Sequence, residues 1–375
     1  LGELGWFIPR AKKDLSRLAD SLAAGTMDLA AYEPLHPQYQ RLKAQLPRLH
    51  DLAAVPWPAL ALPVLPARRL GLAPGDSADV IIDIRHRLHQ LGDLAQDDAS
   101  PRHDSTLVAA VRQFQARHGL SDDGIIGPRF LQAINVTPTD RLRTILVNME
   151  RLRWVPDRQP ANLLLVNIPE FRLHVFEADT VVLSMRVVVG TTVNSTVVFS
   201  DTVSTVVFSP SWTVPTGITQ NEILPAMRRD PDYLRKENME IIGGTATRPL
   251  IRQRPGPNNA LGRVKFLFPN SYSIYMHDTP ARQFFARDQR AFSHGCIRLE
   301  EPRALAEYLL RDDPAWTRQR ITEAMLSGRE TFVQLREGPP VMSVYFTAWV
   351  TSDGLLNFRE DLYGHDRQLA AELFR

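Results

Sequence analysis

An α+β protein of several domains is what this sequence predicts, and three features carry the expectation. The first 153 residues space their apolar side chains at helical intervals, while from Leu163 onward β-branched residues dominate. A cluster of prolines between Val55 and Gly75 separates two helical stretches. At 375 residues the chain also exceeds the usual size of one core.

In chain order, residues 1–78 read as an N-terminal helical scaffold segment with a proline-rich connector. Its helical spacing is Leu15, Leu18, Leu22 and then Tyr39, Leu42, Leu46, Leu49. Pro56, Pro58, Pro63, Pro66 and Pro74 suit an extended run across a surface. Residues 79–136 form a three-helix unit, with Ile81, Ile84, Leu88 and Leu91 inward on one helix and Leu107, Val108, Val111 and Phe114 on the next. Gly119 can end the second helix and Pro128 start the third. The string Gln113-Phe114-Gln115, Gly119-Leu120, Asp123-Gly124, Gly127-Pro128 resembles a peptidoglycan-binding-like domain, whose resemblance implies either glycan binding or a purely scaffolding role. A linking helix within 137–160 runs from Thr139 to about Arg153.

The β-rich domain spans 161–340, with strands expected at Leu163–Ile168, Phe171–Phe176, Val181–Val189, Val197–Phe199, Val206–Phe208, Val264–Phe268 and Ser273–Met276. Ser195-Thr196-Val197-Val198-Phe199-Ser200 recurs as Ser204-Thr205-Val206-Val207-Phe208-Ser209, either as neighbouring strands or with only one copy in the sheet. Between 216 and 263 the β pattern lapses into helix-like and loop-like text, the form expected of a lid. Residues 341–375 add strands and a helix that complete either the sheet or the scaffold.

Lys and Arg total 44 against 42 Asp and Glu, so charge gives no argument for nucleic acid or an anionic membrane. No apolar run of 18 residues suggests a membrane span. The chain opens Leu1-Gly2-Glu3-Leu4 without an initiator Met or a leader, which reads as a trimmed or mature product and leaves export undecided. One cysteine excludes an intrachain disulfide and any CxxC motif.

That cysteine sits in Ser293-His294-Gly295-Cys296-Ile297-Arg298-Leu299, downstream of Tyr275-Met276-His277-Asp278-Thr279. A solitary cysteine is by composition more often a small buried apolar residue, so the neighbours decide. A thiol needs a base or cation to become a nucleophile. His277, at the end of an apolar strand-like stretch, is placed as general base reaching across to Cys296. Gly295 leaves the backbone open, so the amides of Gly295 and Cys296 are expected to face an oxyanion, with His294 as a further donor. Arg298 alternates with Cys296 on one face and suits a carboxylate. A zinc site from His277, His294 and Cys296 lacks further ligand text and is set aside, leaving no metal or cofactor expected.

The Ser-His-Gly-Cys-Ile-Arg string with its upstream His-Asp-Thr is similar to the signature of the YkuD-type L,D-transpeptidases, over roughly Leu163 to Gly338. Ser209-Pro210-Ser211-Trp212-Thr213-Val214-Pro215 and Pro255-Gly256 with Asn259-Ala260-Leu261-Gly262-Arg263-Val264-Lys265-Phe266 resemble the large periplasmic members of the YcbB or LdtD type. The resemblance implies a YkuD-like fold with a helical lid insertion, beside the peptidoglycan-binding-like domain and scaffold. It implies Cys296 as nucleophile, His277 as base, the Asp278 carbonyl as its orienting acceptor, and His294, Gly295 and Arg298 around the acyl site. Ser293, Trp212 and Tyr275 are expected to join Arg298 in holding substrate. The implied reaction cuts the bond between meso-diaminopimelate and terminal D-Ala and passes the acyl group to another diaminopimelate, giving a 3-3 cross-link. Hydrolysis by an L,D-carboxypeptidase or amidase, and an inactive wall-binding scaffold, are the alternatives. Expected partners are peptidoglycan stems and glycan, carbapenems as covalent inhibitors and wall-synthesis proteins; the expected location is the periplasm. Gly190-Thr191-Thr192-Val193-Asn194-Ser195-Thr196-Val197 departs from the family by lacking a Thr-Pro pair.

Overall fold

The computed structural model describes residues 6–8, 15–26, 33–34, 36–156 and 160–375. Two compact units emerge among the described residues: a helical unit drawn from residues 8–156 and 345–375, and a sheet unit of 6–7 and 160–344.

The helical unit opens with α1 (Leu15–Ala23), α2 (Pro37–Lys43) and α3 (Leu46–Ala53). Leu42 and Leu49 are buried on α2 and α3, whereas Leu22 on α1 is 62% exposed; the side chains of Leu15 and Leu18 lie outside those described. The three-helix core follows as α4 (Val80–Leu91), α5 (Ser105–Arg117) and α6 (Pro128–Ile134). Ile81, Ile84 and Leu88 of α4 meet Leu107, Val111 and Phe114 of α5 and Phe130 of α6, all essentially inaccessible. The Asp104 carboxylate caps α5 by accepting the Leu107 N–H at 2.9 Å. The proline-rich connector lies along this core: Trp57 donates its indole N–H to Ile134 O (3.2 Å) and the Leu60 N–H bonds the Asn135 side chain (2.8 Å). Extended chain without helical hydrogen bonds must find such partners elsewhere. Helix α7 (Pro138–Leu152) starts with Pro138 behind the Thr137 cap.

The sheet unit contributes β1 (Asn162–Asn167), β2 (Arg172–Glu177), β3 (Thr180–Gly190), β4 (Phe199–Thr202) and β5 (Thr205–Phe208). The lid region supplies β6 (Trp212–Thr213), α8 (Thr216–Ile218), a π-helical turn at Thr219–Ile223, α9 (Leu224–Arg229), α10 (Tyr233–Lys236), β7 (Met239–Gly244) and β8 (Pro249–Gln253). Then come β9 (Val264–Leu267), β10 (Met276–His277), β11 (Ala291–Ser293), β12 (Ile297–Leu299), α11 (Pro302–Leu309), α12 (Arg318–Leu326), β13 (Thr331–Gln334) and β14 (Pro340–Val344). The main sheet runs β13-β5-β9-β10-β12-β3-β2-β1-β14-β4, and β11 pairs with β3. Trp6 forms a parallel bridge with Val198, and Trp6 and Phe7 belong to the sheet unit.

Three strand expectations are corrected. The strand placed at Val197–Phe199 begins at Phe199, because Thr196 is drawn into the turn that follows β3. The strand placed at Ser273–Met276 shrinks to β10: the Asn270 side-chain Oδ1 accepts the N–H of Tyr272 and of Ile274, and Ser273 adopts φ +56°. Both copies of the Ser-Thr-Val-Val-Phe-Ser repeat enter the sheet, yet at opposite ends, β4 beside β14 and β5 between β13 and β9.

The lid is only half helical. β6, β8 and β7 form a three-stranded antiparallel sheet; its β7–β8 hairpin turns at Thr245–Arg248, and Gly243 and Gly244 (φ +85°) sit at the irregular end of β7. Val214, Ile223 and Ile251 give it a small core of its own. The chain then returns to the helical unit through β15 (Ala348–Val350), β16 (Leu356–Phe358) and α13 (His365–Leu373). Residues beyond 340 are therefore divided: β14 completes the sheet and the rest joins α7, where Asn148 donates to the Thr347 hydroxyl at 2.7 Å.

Candidate active site

Three adjacent strands put charged side chains in one row. His277 on β10 pairs in register with Lys265 on β9 and with Arg298 on β12. Residues paired in register project to one face, so the imidazole stands between two cations. It is 4% exposed, and its Nδ1 lies 2.5 Å from the Asp278 carbonyl oxygen. That acceptor assigns the proton to Nδ1 and leaves Nε2 with its lone pair. Burial, then Arg298, and also Lys265, pull the pKa of His277 down to about 3, against the opposing pull of the Asp278 carbonyl. The imidazole is therefore neutral at neutral pH.

The Asp278 carboxylate faces away from the ring. Its Oδ2 accepts the Arg263 N–H at 2.9 Å, and Arg282 approaches Oδ1 at 3.3 Å. A Cβ on Gly262, which sits at φ +61°, would fall 2.4 Å from that carboxylate. Asp278 thus ties the end of the lid to the strand end bearing His277, while burial raises its own pKa.

Cys296 precedes β12 and is half-buried. The Ile297 N–H bonds Tyr275 O at 3.1 Å, which fixes the thiol beside the Tyr275–His277 edge. The thiol donates to Ser273 O at 3.7 Å, so its hydrogen bond goes to that strained turn and not to His277. Burial raises the thiol pKa, partly offset by the backbone and hydroxyl of Tyr275 and by the Arg298 charge. Burial likewise raises Tyr275, whose hydroxyl receives the Trp212 side chain as a hydrogen-bond partner. Arg298 has its pKa lowered by burial, and its inaccessible Nε–H meets no acceptor among the described residues.

The turn before Cys296, the candidate nucleophile, is braced from within. The Ser293 hydroxyl donates to Cys296 O at 2.5 Å and accepts the Gly295 N–H at 3.2 Å. The expectation that the Gly295 amide faces an oxyanion is thereby corrected, since its hydrogen points at Ser293 Oγ. Gly295 itself takes φ +108°, a conformation that favours glycine. Its carbonyl accepts the Thr196 hydroxyl at 2.8 Å, so the Gly190–Val197 stretch packs directly on the nucleophile turn. His294 points outward instead and pairs with Glu222 of the lid at 2.9 Å, both side chains about half exposed. Thr196, Ser273 and Glu222 carry no local signature; only the fold brings them here. Cys296, His277 and His294 do not form a metal-ligand set, nor do any three His, Cys, Asp or Glu side chains among the described residues.

Residues 161–317 match the profile of the YkuD family, the L,D-transpeptidase catalytic domain, and residues 77–134 that of "Putative peptidoglycan binding domain". The chain carries a YkuD L,D-transpeptidase catalytic domain and a peptidoglycan-binding domain. A "Putative L,D-transpeptidase" of Haemophilus influenzae is 35% identical over 241 residues, covering 60% of this chain; the chain spans about half (48%) of that relative's length. Among solved structures, the L,D-transpeptidase of Xylanimonas cellulosilytica overlaps 75% of this chain and 100% of its own at 14% identity and TM-score 0.23. L,D-transpeptidase 3 of Mycobacterium tuberculosis overlaps 49% of this chain and 61% of its own at 17% identity and TM-score 0.26. Overlaps this loose assign no residue. Within the YkuD domain all of the row from Lys265 to Arg298, the nucleophile turn and the lid fall between the matched limits. No described helix is long and apolar enough to cross a membrane.

Proposed function

We propose that this protein is a cysteine-dependent L,D-transpeptidase that forms 3-3 cross-links between meso-diaminopimelate residues of peptidoglycan. One observation supports the reading above the others: a half-buried thiol, a neutral imidazole with a free Nε2 and a guanidinium with an orphaned N–H share one strand edge. In the proposed reaction Cys296 Sγ attacks the carbonyl of the donor diaminopimelate while His277 Nε2 accepts the thiol proton. The tetrahedral intermediate collapses, the C–N bond breaks, and the terminal D-Ala amine leaves with that proton. The thioester is then attacked by the amine of a second diaminopimelate, which gives its proton to His277 and frees the thiol.

Arg298 holds a carboxylate of the donor, matching its lack of a partner. The Cys296 amide takes the oxyanion role, because Gly295 N–H is directed to Ser293. Tyr275 and Trp212 line the donor side, and His294 belongs to the lid contact and not to the oxyanion site. The reading carries the periplasm as location and carbapenems as acylating inhibitors.

Intact-mass measurement after incubation with a carbapenem tests the nucleophile: one adduct on the wild type and none on Cys296→Ala. An equal adduct on Cys296→Ala would refute the assignment. Purified tetrapeptide muropeptides test the acceptor, since dimers support cross-linking and tripeptides alone point to hydrolysis.

A further inference from the structure

The helical unit holds a cavity of about 180 Å³ where α3, the end of α4, α5 and α7 converge on the β15–β16 turn. Three guanidinium groups line it, those of Arg48, Arg117 and Arg141. They are not equally compensated. Arg117, 4% exposed, is matched by the Asp93 carboxylate at 2.6 and 2.5 Å and also donates to Leu356 O. Arg141, 2% exposed, has only neutral acceptors, His118 Nε2 and Ala133 O, each at 2.8 Å, and its buried Nε–H meets none. Arg48, at the exposed mouth, donates only to Gln90 O at 2.7 Å. Asp353 lies at the rim, held by the Thr351 side chain.

Asp93 is the one carboxylate acting on Arg141, and it is already engaged by Arg117, so a buried guanidinium with an orphaned N–H still has room for an anionic partner. Burial and the neighbouring Arg117 pull Arg141 down to about 9 against the opposing pull of Asp93, and an anion in the cavity would add to that opposition. Leu49, Leu356 and Phe358 give the wall an apolar part, beside the polar Gln45, and the Arg141 guanidinium lies 5.0 Å from the Phe358 ring centre. The volume is similar to that of a cavity of ~150 Å³ that admits benzene, the room of a carboxylate with a short aliphatic body.

We propose that this cavity is a second binding site, separate from the cysteine centre, for the carboxylate end of a small aliphatic ligand such as a terminal alanine. Arg141 and Arg48 receive the carboxylate, and Leu49, Leu356 and Phe358 receive the aliphatic part.

Titration calorimetry on the full-length Cys296→Ala protein tests it, with N-acetyl-D-alanine, N-acetyl-D-alaninamide and inorganic phosphate as probes. The acid is expected to bind saturably at one site, the amide not at all and phosphate more weakly. Arg48 is exposed, so Arg48→Gln keeps the fold, and it should weaken the acid at least about tenfold, as loss of one charged hydrogen bond implies. Arg298→Gln should leave binding unchanged. No saturable binding, equal binding of the amide or of phosphate, or an Arg48→Gln protein that binds as before would overturn the site. Loss in Arg298→Gln alone would locate the ligand at the cysteine centre and overturn it equally. Because the readout is binding to a protein without its thiol, the outcome is independent of whether Cys296 performs acyl transfer.

Discussion

His277 and Cys296 are both neutral in the resting site, and this separates the protein from enzymes that store a thiolate–imidazolium pair. Iodoacetamide should therefore alkylate Cys296 at a rate that climbs with pH above the ordinary thiol range, without a plateau between pH 5 and 7. A plateau there would reveal a preformed ion pair. His277→Gln keeps an acceptor but no base and should lower turnover by about 10²–10⁴-fold, the usual span for a lost general base. The same residue makes stability depend on pH. Its folded pKa lies below the unfolded value of 6.5, so below pH 6.5 the unfolded chain binds a proton that the native imidazole refuses. Stability is full above that pH and falls as pH drops toward 3, by at most about 1.4 kcal/mol per pH unit. Urea titrations at pH 7 and pH 5 should show a smaller loss in His277→Gln than in the wild type; an identical loss would contradict the buried neutral state.

Two elements hold the site in shape, the turn at Ser293–Cys296 and the lid. Ser293→Ala removes both braces of the turn and leaves the Gly295 N–H and Cys296 C=O without their partner, at a cost of about 1–3 kcal/mol. Thermal unfolding should register that loss, and carbapenem acylation should slow; acylation at wild-type rate would mean that the turn holds without Ser293. The lid touches the motif through Glu222 and His294, an exposed pair of about 0–1 kcal/mol. Glu222→Gln should accordingly change turnover by no more than about fivefold while hydrogen exchange quickens across 216–236. Unchanged exchange would remove the pair from any part in lid closure.

At the scale of the molecule, the C-terminal 31 residues, Tyr345–Arg375, complete the helical unit rather than extend the sheet. Arg151 of α7 is 2% exposed and pairs with Asp366 of α13 at 2.5 Å, which in turn accepts the Thr347 hydroxyl at 2.6 Å. Asp366→Ala strands that guanidinium, and breaking a buried pair from one side costs about 3–5 kcal/mol. Denaturant unfolding should lose that much in the transition of the helical unit. A change within about 0.5 kcal/mol, the range of ordinary surface substitutions, would show that Arg151 finds other acceptors.

Much of this was written locally in the chain. Helical periodicity located α4 to α7, β-branched runs located β1 to β3, and Ser293–Arg298 with His277–Thr279 pointed to the proposed chemistry, because Cys296, Gly295 and His277 lie in two short strings. What spacing could not supply is adjacency. The row Lys265, His277, Arg298 exists only because β9, β10 and β12 are neighbours, and those cations, with burial, keep the base neutral. The turn of Thr196 onto Gly295, the thiol's bond to Ser273 and the division of the C-terminus at 344 likewise depend on long-range pairing. The sequence by itself put Cys296, His277 and Arg298 forward as candidates; the tertiary structure decided their charge, because charge in a buried site is set by neighbours that are distant along the chain.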